Sequence, residues 1–378
     1  ENLSGVRVIR AFNQQDNEQK RFESTTTKQK EEQIIAGNLS AVLNPATTII
    51  VNFGIIAILY ISGFKINAGS MTQGEVISLI NYMNQILLSM YVFANVIVIL
   101  NKASASYKRC ADVLSQKPDI VQGINEAPSD YQNLITYDHV SFSYYSGNAL
   151  TDVSFNILPG QTIGIIGGTG SGKTSLINMI PRFYDPTEGK VKIFGIDAKD
   201  YKRKNLEDII GVVPQKALLF KGTIRSNLLW GNENATEEEL VEALKLSQSY
   251  DFVKEKDKGI DSEVAQKGKN FSGGQKQRLT IARALVKKPK ILILDDSSSA
   301  LDYATDAKLR SDIKTLKDIT LFVVSQRTAS IMDADQIVVL DDGKVVGFGT
   351  HDELLKDCSV YQEIYQSQFK KGGQSNGK

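Results

Sequence analysis

A helical membrane-spanning segment followed by an α/β domain with antiparallel β and helical subdomains is the fold class this sequence predicts, on three observations. Two uncharged runs, Gln33 to Phe64 and Val76 to Asn101, each exceed the ~20 apolar residues that a helix needs to cross a bilayer. A glycine-rich turn, Gly167-Gly168-Thr169-Gly170-Ser171-Gly172-Lys173-Thr174, joins an apolar strand-like run to a helical one. From Leu134 onward, apolar runs of strand length alternate with helical stretches.

In chain order, residues 1–32 read as a cytoplasmic amphipathic helix, with Val6, Ile9, Phe12 and Phe22 among charged neighbours. The opening Glu1-Asn2-Leu3 has no initiator Met and no signal-peptide pattern, so it is read as the start of a fragment whose N-terminal part is missing. The two runs predict a transmembrane hairpin, spans at about 34–63 and 75–100, joined by a short loop at Lys65 to Gln73. Lys and Arg crowd both outer flanks, Arg7, Arg10, Lys20 and Arg21 before and Lys102, Lys108 and Arg109 after, so the positive-inside rule puts both ends in the cytoplasm. Buried core helices would give shorter uncharged runs. Pro45 is expected to kink the first span. Asn81, Asn84 and Gln85 share one face of the second, where polar groups face other helices or a watery cavity. The second span continues without a breaker to Pro118. A polar stretch at 118–133 with Gly123 and Pro128 reads as a linker, which sets the domains at 1–117 and 134–378.

Composition narrows the partners. In 378 residues, 44 Lys+Arg stand against 43 Asp+Glu, a balance that gives no electrostatic footprint for nucleic acid. Cys110 and Cys358 lie far apart without metal-ligand spacing, which fits reduced thiols and no zinc or disulfide framework.

Beyond the linker, Ile135 to Tyr144 and Val153 to Leu158 predict β structure, followed by strands at Val191 to Phe194 and Val212 to Val213. Thr236-Glu237-Glu238-Glu239 is a capping box opening a helix. Ile291 to Leu294 and Ile319 to Val324 are continuously apolar, as parallel strands covered on both faces are. Ile337 to Leu340 and Lys344 to Phe348 flank Asp342-Gly343, a hairpin signal.

The turn at 167–174 reads G-x-x-x-x-G-K-T, the phosphate-binding loop of nucleoside triphosphatases, and Ser175 opens the helix behind it. Glycines let backbone N–H groups turn inward around a triphosphate, Lys173 can reach the β- and γ-phosphates, and the Thr174 hydroxyl can ligate Mg²⁺. An ordinary glycine turn would match these fixed positions rarely.

Further motifs give this loop a particular setting. Phe271-Ser272-Gly273-Gly274-Gln275, followed by Arg278, Ile281, Ala282 and Leu285 at helical spacing and then by the strand at Ile291, resembles the signature of ATP-binding cassette (ABC) proteins. Physically it is a cap and a glycine pair at a helix N-terminus, offering N–H donors to an anion. In that family the anion is the γ-phosphate of ATP held by the other nucleotide-binding domain. By the same resemblance Asp295 matches the Walker-B aspartate that holds Mg²⁺, and Gln215 of Val213-Pro214-Gln215 the glutamine that meets the metal and the coupling helix. Tyr144 matches the ring that stacks on adenine, with Tyr145 as its competitor, and stacking suits an apolar π-face. Ser299-Ala300-Leu301-Asp302 resembles the D-loop, and 262–268 the segment that touches coupling helices in exporters. Residues 1–117 resemble the end of the fourth and then the fifth and sixth membrane helices of an exporter half. The resemblance implies a chain that binds ATP and Mg²⁺, sits in the plasma membrane, and moves a small amphipathic, multidrug-type cargo. Lipid or peptide export fits the same motifs, and a soluble cassette acting on DNA or ribosomes is disfavoured by the two spans.

Two positions depart from the family pattern. Asp296 stands where competent cassettes carry glutamate, and Gln326 where they carry the switch histidine. One reading is tolerated drift in a working ATPase, since Asp is still a carboxylate and Gln still donates a hydrogen bond. The sharper one is a degenerate site, since Asp is one methylene short of holding an attacking water in line and Gln lacks the protonation behaviour of imidazole. His139 and His351 are read as structural. The expectation is one half of a heterodimeric exporter with a degenerate site of its own. Its intact signature would complete the site of a partner that supplies the Glu and His. The alternative is a regulatory ATP-binding subunit without turnover.

Overall fold

The computed structural model describes residues 2–117, 120, 123–126, 128, 132–144, 147–316 and 318–369. Part of the linker at 118–133 and the alternative ring Tyr145 lie outside the described residues. The chain divides into two compact units, Glu1–Lys117 and Pro118–Lys378.

The first unit contains α1 (Asn2–Ala11), α2 (Gln15–Asn67) and α3 (Gln73–Leu114). The single amphipathic helix expected over 1–32 is therefore corrected: it is broken at Asn13. Asn13 takes φ 51, its N–H donates to Arg10 O at 3.2 Å, and Gln14 N–H donates to Ile9 O at 2.9 Å. This is a Schellman closure, which tolerates Asn in the left-handed region and satisfies carbonyls the helix leaves open. From Gln15 the helix runs through Pro45 without interruption, because residues on both sides keep helical backbone and the missing N–H removes only one bond of a 53-residue ladder. At its far end the same closure recurs at Gly69 and Ser70, which donate to Ile66 O and Lys65 O. Thr72 and Glu75 then form a reciprocal capping box that starts α3. Pro45–Asn67, mean hydropathy 2.0, and α3, mean hydropathy 1.8, are long and apolar enough to cross a membrane. Asn81, Asn84 and Gln85 are exposed on α3.

The second unit begins with β1 (Ile135–Tyr144), β2 (Gly147–Ile157) and β3 (Thr162–Gly167), then α4 (Lys173–Asn178), β4 (Glu188–Ile193), β5 (Ile196–Asp197), α5 (Arg203–Ile209) and β6 (Ile210–Val213). A helical region follows: β7 (Gly222–Thr223), α6 (Ile224–Leu228), α7 (Glu237–Leu246), α8 (Tyr250–Lys254), β8 (Glu263–Val264) and α9 (Gly273–Val286). The chain then forms β9 (Ile291–Asp295), α10 (Tyr303–Lys314), β10 (Thr320–Val324), β11 (Gln336–Asp341), β12 (Lys344–Gly349), α11 (His351–Asp357) and α12 (Ser359–Phe369).

Among the described residues the central sheet has the order β12-β11-β3-β10-β9-β6, parallel except for the β11–β12 hairpin. An antiparallel sheet, β2-β1-β4-β5, lies beside it. Two apolar clusters explain the continuous hydrophobic runs: Ile163, Ile165 and Ile293 join Tyr137, Val153 and Leu176 on one side. Ile166, Leu292 and Leu294 join Leu240, Leu279 and Ile281 on the other. A strand wetted on one face would alternate, whereas these are buried on both. At about 25 cal/mol per Å² of apolar surface, each such side chain contributes roughly 1.5 to 3 kcal/mol.

The parallel register decides where the chemistry gathers. Val324 pairs with both Ile165 and Asp295, and Val213 pairs with Leu294, so the carboxyl ends of β3, β6, β9 and β10 share one edge. In open α/β sheets that edge is where ligands bind. His139, at φ 51 in a bulge of β1, meets Asp152 at 2.7 Å, and His351 meets Tyr361 OH at 2.7 Å.

Candidate nucleotide site

β3, buried on both faces, ends at Gly167, and six residues later Lys173 opens α4, so the loop is carried from a core strand into a helix. Gly172 adopts φ 95, and a Cβ there would stand 2.5 Å from Ala149 O, so only glycine fits the turn. Ser171 O accepts from Gly343 N–H at 3.3 Å, which ties the loop to the hairpin turn of β11–β12. The Lys173 ammonium donates to Gly167 O at 2.9 Å, Gly168 O at 2.6 Å and Ser171 Oγ at 3.4 Å. Burial lowers its pKa from the ordinary lysine value, while Asp296 and Asp295 pull it back up. Gly168, Thr169, Gly170 and Thr174 are exposed, Gly172 and Lys173 half-buried, and Ser171 and Ser175 buried.

A cavity of about 430 Å³ brings Gly170 to Ser175 together with Tyr144 and the start of β2. Tyr144 is 42% exposed, its ring edge-on to Phe142 and Tyr184 and its hydroxyl 3.2 Å from Ser175 Oγ. The ring thus lines the same cavity as the phosphate loop and reaches it through its hydroxyl.

At the same edge Asp295 ends β9 with 8% exposure, and burial, reinforced by the charge of Asp296, pushes its carboxyl up to about 6. Asp296 leaves the strand at φ 44 and its N–H donates to Val324 O at 2.9 Å. Gln215 Nε2 donates to Asp296 Oδ2 at 3.1 Å, across 81 residues of chain. Its Oε1 remains the atom a metal would take. Among the described residues no cluster of His, Cys, Asp or Glu could hold a metal by itself. Thr174, Gln215 and Asp295 nevertheless offer hard oxygen donors at one edge, the few protein ligands that Mg²⁺ accepts when phosphates supply the rest. When bound there, Mg²⁺ would neutralise charge on the phosphates.

Gln326 follows β10, whose end is fixed by Ser325 N–H donating to Ile165 O at 3.1 Å. Its backbone carbonyl accepts from Gln368 Nε2 at 2.7 Å, and Gln368 Oε1 accepts from Thr328 N–H and Oγ1 at 2.8 and 3.0 Å. No sequence pattern singles out Gln368, since the contact spans 42 residues and ends on backbone atoms.

The signature segment starts α9. Ser272 Oγ accepts from Gln275 N–H at 3.2 Å and Gln275 Oε1 accepts from Ser272 N–H at 3.0 Å, so both side chains cap the helix. Gly274 lies close to Ala300 O, while a Cβ at Gly273 would meet nothing within 4 Å. Gly273 therefore faces open space. Asp302 caps α10 through Thr305 N–H at 2.9 Å. In the 262–268 stretch, β8 pairs with β7 and Lys267 turns at φ 59.

Comparison with known proteins gives a consistent picture. Residues 150–299 match the family described as ABC transporter, and residues 1–90 match ABC transporter transmembrane region. An uncharacterized ABC transporter ATP-binding protein of Bacillus subtilis, YfiB, is 40% identical over 99% of this chain. YheI of the same organism, named as a probable multidrug resistance ABC transporter ATP-binding/permease protein, is 35% identical over 97%. The chain spans 65% and 63% of the length of these two relatives. A solved structure of a bacterial Atm1-family ABC exporter with ATP bound superimposes with a TM-score of 0.84 at 28% identity, covering 97% of this chain and 65% of that one.

Proposed function

An ABC transporter transmembrane region followed by an ABC ATPase domain is what this chain carries, and on that premise we propose that it is one half of a heterodimeric exporter in the plasma membrane. Two cassettes close head to tail on ATP, closure is passed to the membrane helices, and hydrolysis resets the pair. This chain's loop, Tyr144, Thr174, Gln215 and Asp295 bind Mg·ATP at a site of low turnover. Its Ser272, Gly273, Gly274 and Gln275 complete the partner's site, where the partner's glutamate and histidine do the chemistry.

One observation carries the reading. The ATP-binding parts of the edge are intact, while the two positions that would orient and activate water hold Asp296 and Gln326. The cargo is a small amphipathic molecule. The name of YheI supports this. The regulatory reading, binding without turnover, gains support from the Gln215–Asp296 hydrogen bond, which engages the carboxylate that would otherwise face a water.

The test compares ATP hydrolysis by the full-length protein alone and with a second half carrying the glutamate and histidine. The pair is expected to turn over ATP and drive cargo efflux, the single species to do neither. Vigorous hydrolysis by the protein alone would overturn the asymmetric scheme.

A further inference from the structure

The segment that carries Gln326 is held by a residue far outside the ATP-binding motifs. Gln368, near the end of α12, uses its amide in both directions: Nε2 donates to Gln326 O at 2.7 Å, and Oε1 accepts from Thr328 N–H at 2.8 Å and Thr328 Oγ1 at 3.0 Å. It thus grips the backbone on both sides of Arg327. Thr328 has no exposed surface, so without Gln368 its hydroxyl and N–H would lose their partner in a place water reaches poorly. The helix that presents Gln368 is itself fixed. Tyr361 is fully buried in the core and bonds His351, and Gln362 Nε2 donates to Leu355 O at 2.9 Å. On the other side Arg327 lies over the Tyr303 ring at 5.0 Å, and its N–H donates to Ser325 Oγ at 2.9 Å.

We infer that Gln368 is a positioning residue for the nucleotide site, fixing the backbone that aims Gln326 and so making retention of ATP at this chain's own loop depend on the C-terminal helix. The inference rests on the proposed nucleotide site. It goes beyond it in assigning a role to a residue of α12. A glutamine needs this more than a histidine would. A flexible amide has one more rotatable bond than imidazole, and it is useful to a phosphate only if its backbone is held.

The test is a double-mutant cycle on the full-length protein, reading dissociation of a fluorescent ATP analogue with Mg²⁺ present. Gln368→Ala, which removes all three of these hydrogen bonds, is expected to speed release about three- to tenfold in the native background. In a Gln326→Ala background the same change is expected to have no effect, because the side chain it serves is gone. Thr328→Val, which removes only one of the three bonds, is expected to act in the same direction and more weakly. An unchanged release rate in Gln368→Ala, or an equal effect in both backgrounds, would overturn the inference. Lys173→Ala in parallel separates the levels: if it leaves ATP affinity unchanged, the nucleotide site itself is misassigned, whereas normal loss there with a silent Gln368→Ala rejects only the role of Gln368.

Discussion

Gln215 and Asp296 are hydrogen-bonded to each other, Nε2 to Oδ2 at 3.1 Å, between the ends of neighbouring parallel strands. The carboxylate that would face an attacking water is thereby drawn toward the glutamine. Lengthening it by one methylene in Asp296→Glu restores reach but leaves Gln326 in place. Turnover at this site is therefore expected to rise by less than about tenfold, measured as steady-state ATP hydrolysis in the proposed heterodimer. A hundredfold rise would mean that carboxylate length alone limits the site.

Lys173→Ala should weaken ATP binding at this chain's loop. The charge-assisted contact removed is worth about 1.5 to 3 kcal/mol, or roughly tenfold to a hundredfold in affinity. Equilibrium binding to the full-length protein decides it. Unchanged affinity would place the nucleotide elsewhere.

Replacing Gly273 with a bulky residue separates the two sites of the proposed pair. A Cβ there meets nothing within 4 Å and the backbone is not strained, so folding and melting temperature should be unaffected. Hydrolysis by the heterodimer should fall nearly to background, because the added side chain blocks N–H groups offered to the partner's nucleotide. Binding at this chain's own loop should persist. Full activity in the variant would remove the trans role of the signature.

The Asp152 side chain, bonded to His139 at 2.7 Å, holds that imidazole above its ordinary pKa, through the hydrogen bond first and the charge second. A folded-state value above the unfolded one means that the contact contributes stability fully below the ordinary imidazole value. That contribution is lost as pH rises through the raised value. Imidazole NMR titration should show the elevated transition in the native protein and a lower one in Asp152→Asn. An identical titration in both would show that the pair is not formed in solution.

The sequence made legible whatever depends on local pattern. The glycine and Lys173 spacing, the Ser272–Gln275 and Thr236–Glu239 caps, the double-sided apolar strands and the Asp342-Gly343 turn all write their geometry into a few adjacent residues. The break at Asn13 is equally local, but Asn-Gln amid a charged amphipathic stretch is a weak stop signal beside glycine. What stayed hidden depends on register between distant segments. Gln215 reaches Asp296 only because β6 lies beside β9, and Gln368 reaches Gln326 only because α12 packs back on the core. Spacing along the chain carries no trace of either.

The phosphate loop is also the meeting point of three backbones. Gly343 N–H donates to Ser171 O, Gly343 O accepts from Thr151 N–H, and Gly172 lies against Ala149 O, so the hairpin turn, β2 and the loop interlock through main-chain atoms alone. A ligand arriving at such a socket finds it already ordered and forfeits little conformational entropy on binding, so more of the contact energy remains as affinity. The same interlock makes Gly343, at φ 76 and with a would-be Cβ 2.9 Å from Ala149 O, a governor of that ordering that is remote only along the chain. A side chain at Gly343 would loosen the socket from the hairpin turn that braces it, without itself belonging to the loop that meets the nucleotide.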